Sequence, residues 1–147
     1  MCYSIYMSTT SEEHLSSLNS ETVRFERIPE DVPSNERPFV DLLNYAHRWY
    51  LVSRYGGCSC HYRHLYRSPD MDFGPPEDWS PEDEDDIEST QTAYDVFARI
   101  LREGSRLDVL DVWTDSQVED IESIEVQLSQ IPRDSFRFFE GYRFLLV

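Results

Sequence analysis

Thiols and imidazoles concentrate in one stretch of this chain. The run "RYGGCSCHYRHLYR" (54–67) carries Cys58, Cys60, His61 and His64, and the third cysteine, Cys2, stands at the amino terminus. Thiolates and neutral imidazoles bind thiophilic metals, and thiolates also exchange with disulfides or attack electrophiles. If 58–64 is a regular strand, side chains alternate between faces. Cys58, Cys60, Tyr62 and His64 then share one face, and Ser59, His61, Arg63 and Leu65 the other. His64 is therefore the imidazole expected to stand with the thiols, while adjacent His61 is incidental.

Convergence is the difficulty. Zinc needs ligands about 2.0–2.3 Å from one point, yet Cys58 and His64 are about 20 Å apart along an undistorted strand. A bulge or an early end to the strand is required, which Gly56 and Gly57 would permit. Cys2 or His47 could complete the set. The expected ligands are thus Cys58, Cys60, His64 and Cys2, with zinc or another thiophilic ion as the cofactor. A Cys58–Cys60 disulfide needs distortion, because same-face neighbours on a strand lie about 6.6–6.8 Å apart at Cα. Reduced structural thiols and a redox or catalytic thiol remain open alternatives. No Ser-His-Asp order, P-loop or dinucleotide fingerprint appears, and "DFG" at 72–74 lacks every companion motif of a kinase. A non-enzymatic binding role is favoured over an enzymatic one.

The elements that must position these residues read as follows. "CYSIYMS" (2–8) alternates as a first strand. "TSEEHLSSL" reads as a short helix with a Thr10/Glu13 capping box. "TVRFERI" is a half-buried strand, and "FVDLLNYA" about two helical turns. Residues 48–66 read as a β-hairpin turning at "YGG". An acidic, proline-rich loop covers 68–80. A helix over about 81–103 has Ser80 as its N-cap, Pro81 at its first position and Gly104 closing it. "RLDVLDVW" and "IESIEVQL" are strands, "PRDSFRFFEG" a short helix or turn, and "YRFLLV" a terminal strand. The expectation is an α+β fold over 1–147 as one domain. It has a single mixed or antiparallel sheet with helices mainly on one face.

Charge limits the function classes. The chain has 29 acids against 13 bases, a net charge of −16, and every base is Arg. Schiff-base and phosphate-loop lysines are excluded, and a nucleic-acid partner is disfavoured because phosphate contacts need a cationic surface. An acidic interaction module of inhibitor, immunity or DNA-mimic type, binding a basic protein, is the alternative reading. Acids are absent between Asp41 and Asp70, whereas Glu77 to Glu88 holds eight acids and no base. That run is a solvated helix start, a clamp over the basic hairpin, or a surface for an Arg-rich partner. No apolar stretch approaches the roughly 20 residues of a membrane span, and the start carries no secretory signal. A cytoplasmic location with reduced thiols is expected.

"MCYSIYMSTT" at the start, "WYLVSRYGGCSCHYRHL" in the middle and "FRFFEGYRF" near the end resemble a family of small uncharacterised bacterial proteins, over most of the chain. The resemblance carries no activity. It implies an intact cytosolic domain and marks Cys2, Cys58, Cys60 and His64 as the positions to carry over. "MCYSI" also distantly resembles amidotransferases that begin with a nucleophilic cysteine, but those place Gly where this chain has Tyr3.

Overall fold

The computed structural model describes residues 2–53, 58–65, 73–76 and 82–147. Six strands form a mixed sheet in the order β2-β3-β1-β5-β8-β6. These are β1 (Tyr3–Thr9), β2 (Val23–Arg27), β3 (His47–Ser53), β5 (Leu107–Trp113), β6 (Glu122–Val126) and β8 (Tyr142–Leu146). A second, two-stranded sheet joins β4 (His64–Leu65) to β7 (Phe138–Phe139) in parallel. Within the larger sheet only β6 and β8 run parallel. The class is α+β, with one long helix.

Strand parity divides the core. Ile5, Met7, Trp49, Leu51, Val109 and Phe144 face the larger apolar cluster. The long helix α2 (Glu84–Arg102) covers that face through Ala93, Phe97 and Ile100. Leu15 of a 3-10 turn (Leu15–Leu18) and Leu128 of another (Leu128–Gln130) join the same cluster. The opposite face carries a smaller cluster: Tyr6, Leu110 and Val112 under Ile28, Val32 and Val40, the last from the short helix α1 (Arg37–Val40). At roughly 25 cal/mol per Å² of apolar area removed from water, the side under α2 contributes most of the stabilisation.

Local signals were partly overruled by partners elsewhere in the fold. Helix α2 starts later than the sequence suggests: its N-cap is Asp83, whose carboxylate accepts from Asp85 N at 2.8 Å. Ser80 and Pro81, expected to begin it, lie outside the described residues. Its C-terminus ends as expected at Gly104, whose φ of +84° lets Ser105 N reach Ile100 O. The Thr10/Glu13 capping box does not form. Thr10 Oγ1 accepts from Arg106 N instead, and Glu13 pairs with Arg99. The segment read as a short helix or turn near 132–141 is a turn leading into β7.

The expected hairpin over 48–66 is also replaced, for a topological reason. Strand β3 already has β2 on one edge and β1 on the other, so a returning strand has no full edge to join. Residues 58–60 lie in no strand, and β4 pairs with β7 instead. The turn residues 54–57 lie outside the described residues, as do 68–72 and 77–80 of the acidic loop.

Part of the acidic run folds over the basic segment as a clamp. Arg63, buried to 1% at its side chain, makes a two-pronged pair with Glu82, 2.5 Å from Nε and 2.9 Å from the second nitrogen. Arg137 reaches the same carboxylate at 2.8 Å. Arg63 also donates to the carbonyls of Asp134, Phe136 and Gly74. The Glu82 carboxyl is held below its usual range, chiefly by its hydrogen bond from Arg63. A buried guanidinium satisfied this fully is a structural device, because every donor direction is already taken.

Candidate functional site

The segment that failed to become a strand builds the site. Strands β1 and β3 are paired up to Ile5 and Leu51, and beyond that point the Cys-Ser-Cys segment wedges between them. Cys58 O accepts from Ser53 N at 2.9 Å on the β3 side, and Ser59 N donates to Tyr3 O at 3.0 Å on the β1 side. Ser59 Oγ bridges the gap, accepting from Ile5 N at 2.9 Å and donating to Leu51 O. Ser59 is 3% exposed and replaces a ladder contact between the strands. Tyr62 OH secures the same corner by donating to Val52 O at 2.8 Å.

With Ser59 turned inward, Cys58 and Cys60 lie outside the core on either side of it, both half-buried. Cys2 meets them from the start of β1. Its backbone is held by Thr114, which accepts from Cys2 N at 2.8 Å and donates to Cys2 O at 3.0 Å. The sulfurs of Cys2, Cys58 and Cys60 lie within 4.8 Å of one another. Tyr3 N donates to Cys60 Sγ at 3.4 Å, the kind of bond that steadies a thiolate.

The two loop thiols do not ionise alike. Burial raises the Cys58 thiol, but hydrogen bonds from the Cys60 thiol and backbone and from Cys2 outweigh it. The net effect is a lowered pKa. Cys60 is pushed up to about 12, first by burial and then by its contact with Cys58. Of these two, Cys58 is therefore favoured to carry negative charge before Cys60. A bound cation would offset the cost of ionising Cys60, since metal binding proceeds with loss of the thiol protons.

His64 does not stand with the thiols, which corrects the reading that placed it on their face. Residues 58–60 are not strand, so the alternation does not extend from Cys58 to His64. Both ring nitrogens are engaged elsewhere: Nδ1 is 2.7 Å from Asp111 Oδ2, and Nε2 is 2.6 Å from Ser59 O. The ring stacks on Tyr3 at 3.8 Å between centroids. His47, the other candidate imidazole, pairs with Thr9 at the far end of β1, about 20 Å from its start at strand rise. His61 sits 3.6 Å from Asp86.

The His64–Asp111 pair has a definite proton content. Ser59 O can only accept, so Nε2 carries a hydrogen, and one further proton lies between Nδ1 and Oδ2. Burial opposes the imidazolium, but the charge and hydrogen bond of Asp111 and the Ser59 carbonyl outweigh it, so His64 is raised. Asp111 is also raised, by burial, and its Oδ1 has no hydrogen-bond partner among the described residues. Both directions describe the same thing: the folded pair retains a proton. With Nε2 spent on a backbone carbonyl, the imidazole is not aimed at a thiol as a general base would be.

Sequence reasoning missed Ser59 and Asp111. An aspartate within "LDVLDVW", an otherwise apolar central strand, was the available signal, because a buried carboxylate must find a partner.

Beside Cys2 the less-covered face of the sheet leaves an open cleft of about 540 Å³, walled by Ser4, Tyr6, Glu36, Phe39 and Trp113. Glu36 accepts there from Tyr6 OH at 3.0 Å and Tyr50 OH at 3.4 Å. No helix among the described residues is long and apolar enough to cross a membrane. Three cysteines close enough to share a metal ion are the chemical content of the site. No protein-family model, curated protein or solved structure matches this chain.

Proposed function

We propose that this is a small non-enzymatic binding protein whose Cys2, Cys58 and Cys60 thiolates hold a thiophilic metal ion, zinc or copper(I). The observation that carries the reading is the mutual approach of three sulfurs contributed by two distant parts of the chain. Sulfurs sharing one metal at about 2.3 Å stand roughly 3.7–4.0 Å apart, so a contraction of about an ångström from the present limit would suffice. An all-sulfur donor set favours soft or borderline ions over magnesium or calcium. With three protein ligands, zinc would keep a fourth position for water or another small ligand. Both loop cysteines flank a serine held by four hydrogen bonds, so the site is pre-organised on that side.

Native mass spectrometry of untagged protein, purified without chelator and given equimolar zinc or, in a parallel sample, equimolar copper(I), tests the reading. One zinc per chain, displaced by EDTA and absent in Cys58→Ser, is expected. A clean metal-free mass with either ion overturns it.

A second reading, an acidic module that captures a basic protein, draws on the charge balance. Several of the 13 arginines are used internally, Arg63 and Arg137 on Glu82, Arg133 on Asp95 and Arg99 on Glu13. Much of the acid excess is thus left for solvent or a partner. Such binding would weaken steeply with salt.

A further inference from the structure

We infer that the thiol cluster is also an oxidation site, at which Cys2 closes an intramolecular disulfide with Cys58 or Cys60. The bond ties the start of β1 to the Cys-Ser-Cys segment. The three sulfurs already lie within 4.8 Å of one another, and Cys2 is exposed. A disulfide requires an S–S separation of about 2.05 Å, so one residue must move, and unequal anchoring decides which.

Closure between Cys58 and Cys60 would have to bend the chain at Ser59. That residue is held by Tyr3 O, Ile5 N, Leu51 O and His64 Nε2. Cys58 O is held in addition by Ser53 N. Distorting the segment would expose buried partners in β1, β3 and the His64–Asp111 pair. Among the described residues the backbone of Cys2 is held through Thr114 alone, at an exposed position outside the strand ladder, and its side chain meets just the two other thiols. The displacement therefore falls on Cys2, and the loop keeps its native bonds.

The oxidant required is a low-molecular-weight disulfide. One loop thiolate attacks a reagent sulfur, forming a mixed disulfide and expelling one thiolate. The Cys2 thiol loses its proton and attacks the protein sulfur of that bond, expelling the second. Two protein thiols and one reagent disulfide become one protein disulfide and two reagent thiols, with two electrons passing to the reagent. The disulfide stands on sulfur geometry alone. Its consequence rests on the proposed function: with one thiol left, the site no longer offers three thiolates, and oxidation releases the metal.

The test uses the full chain, reduced and stripped of metal, incubated with oxidised glutathione, quenched with N-ethylmaleimide and digested with trypsin. The expected product is a monomer lighter by two hydrogens that carries one maleimide, with the peptide 1–24 joined to 55–63. A disulfide confined to 55–63, an intermolecular dimer, or glutathione adducts without internal closure would overturn the inference. Cys2→Ser must abolish the internal bond, while Cys58→Ser and Cys60→Ser must each retain a link to Cys2; a Cys2→Ser variant that still closes internally also overturns it. Zinc uptake before and after oxidation separates the two readings. A fall of tenfold or more on oxidation supports both. Closure in a protein that takes up no zinc when reduced supports the disulfide and removes the metal.

Discussion

Residues 58 to 65 present two kinds of chemistry to two environments. Ser59, Tyr62 and His64 turn inward, where their polar atoms meet backbone groups or Asp111. Cys58 and Cys60 lie outside that network and meet Cys2. In the first set, proximity was bought with burial, so losing any member strands a partner in a low-dielectric interior. In the second set the sulfurs are partly solvated, and the bonds they make are with one another and with Tyr3 N. The difference separates what stabilises this corner of the fold from what can react there.

The hardest way to break that contrast is Asp111→Ala. It leaves His64 buried beside Tyr3 without its carboxylate, and a loss of about 3–5 kcal/mol in urea unfolding is expected for one partner of a buried pair. The same pair gives the protein a pH signature. A histidine with a raised folded pKa contributes stability that is present below its unfolded value of about 6.5 and is lost as pH rises through the folded value. The raised Asp111 acts in the same direction, since the folded state again holds more protons than the unfolded one. The urea midpoint should fall from pH 6 toward pH 9 in the native protein and fall less in Asp111→Asn, whose neutral amide neither takes up a proton nor raises His64. An equal or steeper fall in the variant would place the proton elsewhere.

Ser59→Ala is the intermediate case and sharpens the comparison, because Ser59 belongs to the buried set yet positions the exposed one. Its hydroxyl satisfies Ile5 N and Leu51 O, and their loss should cost about 2 kcal/mol. Zinc binding should weaken as well, because the cysteines on either side lose a fixed backbone. If stability falls while zinc affinity is unchanged, the serine holds the strands together but does not organise the thiols. The smallest structural effect belongs to Cys2→Ser. An exposed residue whose partners among the described residues are exposed or half-buried should change stability by less than about 0.5 kcal/mol, and a larger change in urea midpoint would show that the thiols also support the fold.

Much of the fold was legible in the residues. Alternation in "CYSIYMS" and "TVRFERI" placed two strands to within a residue at each end, and Gly104 marked the end of α2. Those signals are local, and nothing later in the chain competes with them. The hairpin reading of 48–66 failed although its strand propensity was real, because propensity says nothing about how many edges a strand has free. The thiols were found by residue type, and Cys2 was named with Cys58 and Cys60 as their neighbour. Only His64 was misplaced, because same-face arithmetic holds only on a regular strand, and this segment is a wedge.

By itself the sequence determined that any thiol chemistry would fall to Cys2, Cys58 and Cys60, the three cysteines it offers. It also determined that an aspartate would lie within an apolar strand. The tertiary structure decided that β3 would be enclosed by β1 and β2, and that single placement denied residues 58–60 a strand. Ser59 was driven between β1 and β3, His64 was drawn to Asp111 instead of to the sulfurs, and Cys2 was left beside the loop. Long-range pairing settles such matters because a backbone edge accepts one neighbour, and the chain that arrives without an edge must satisfy its hydrogen bonds by other means.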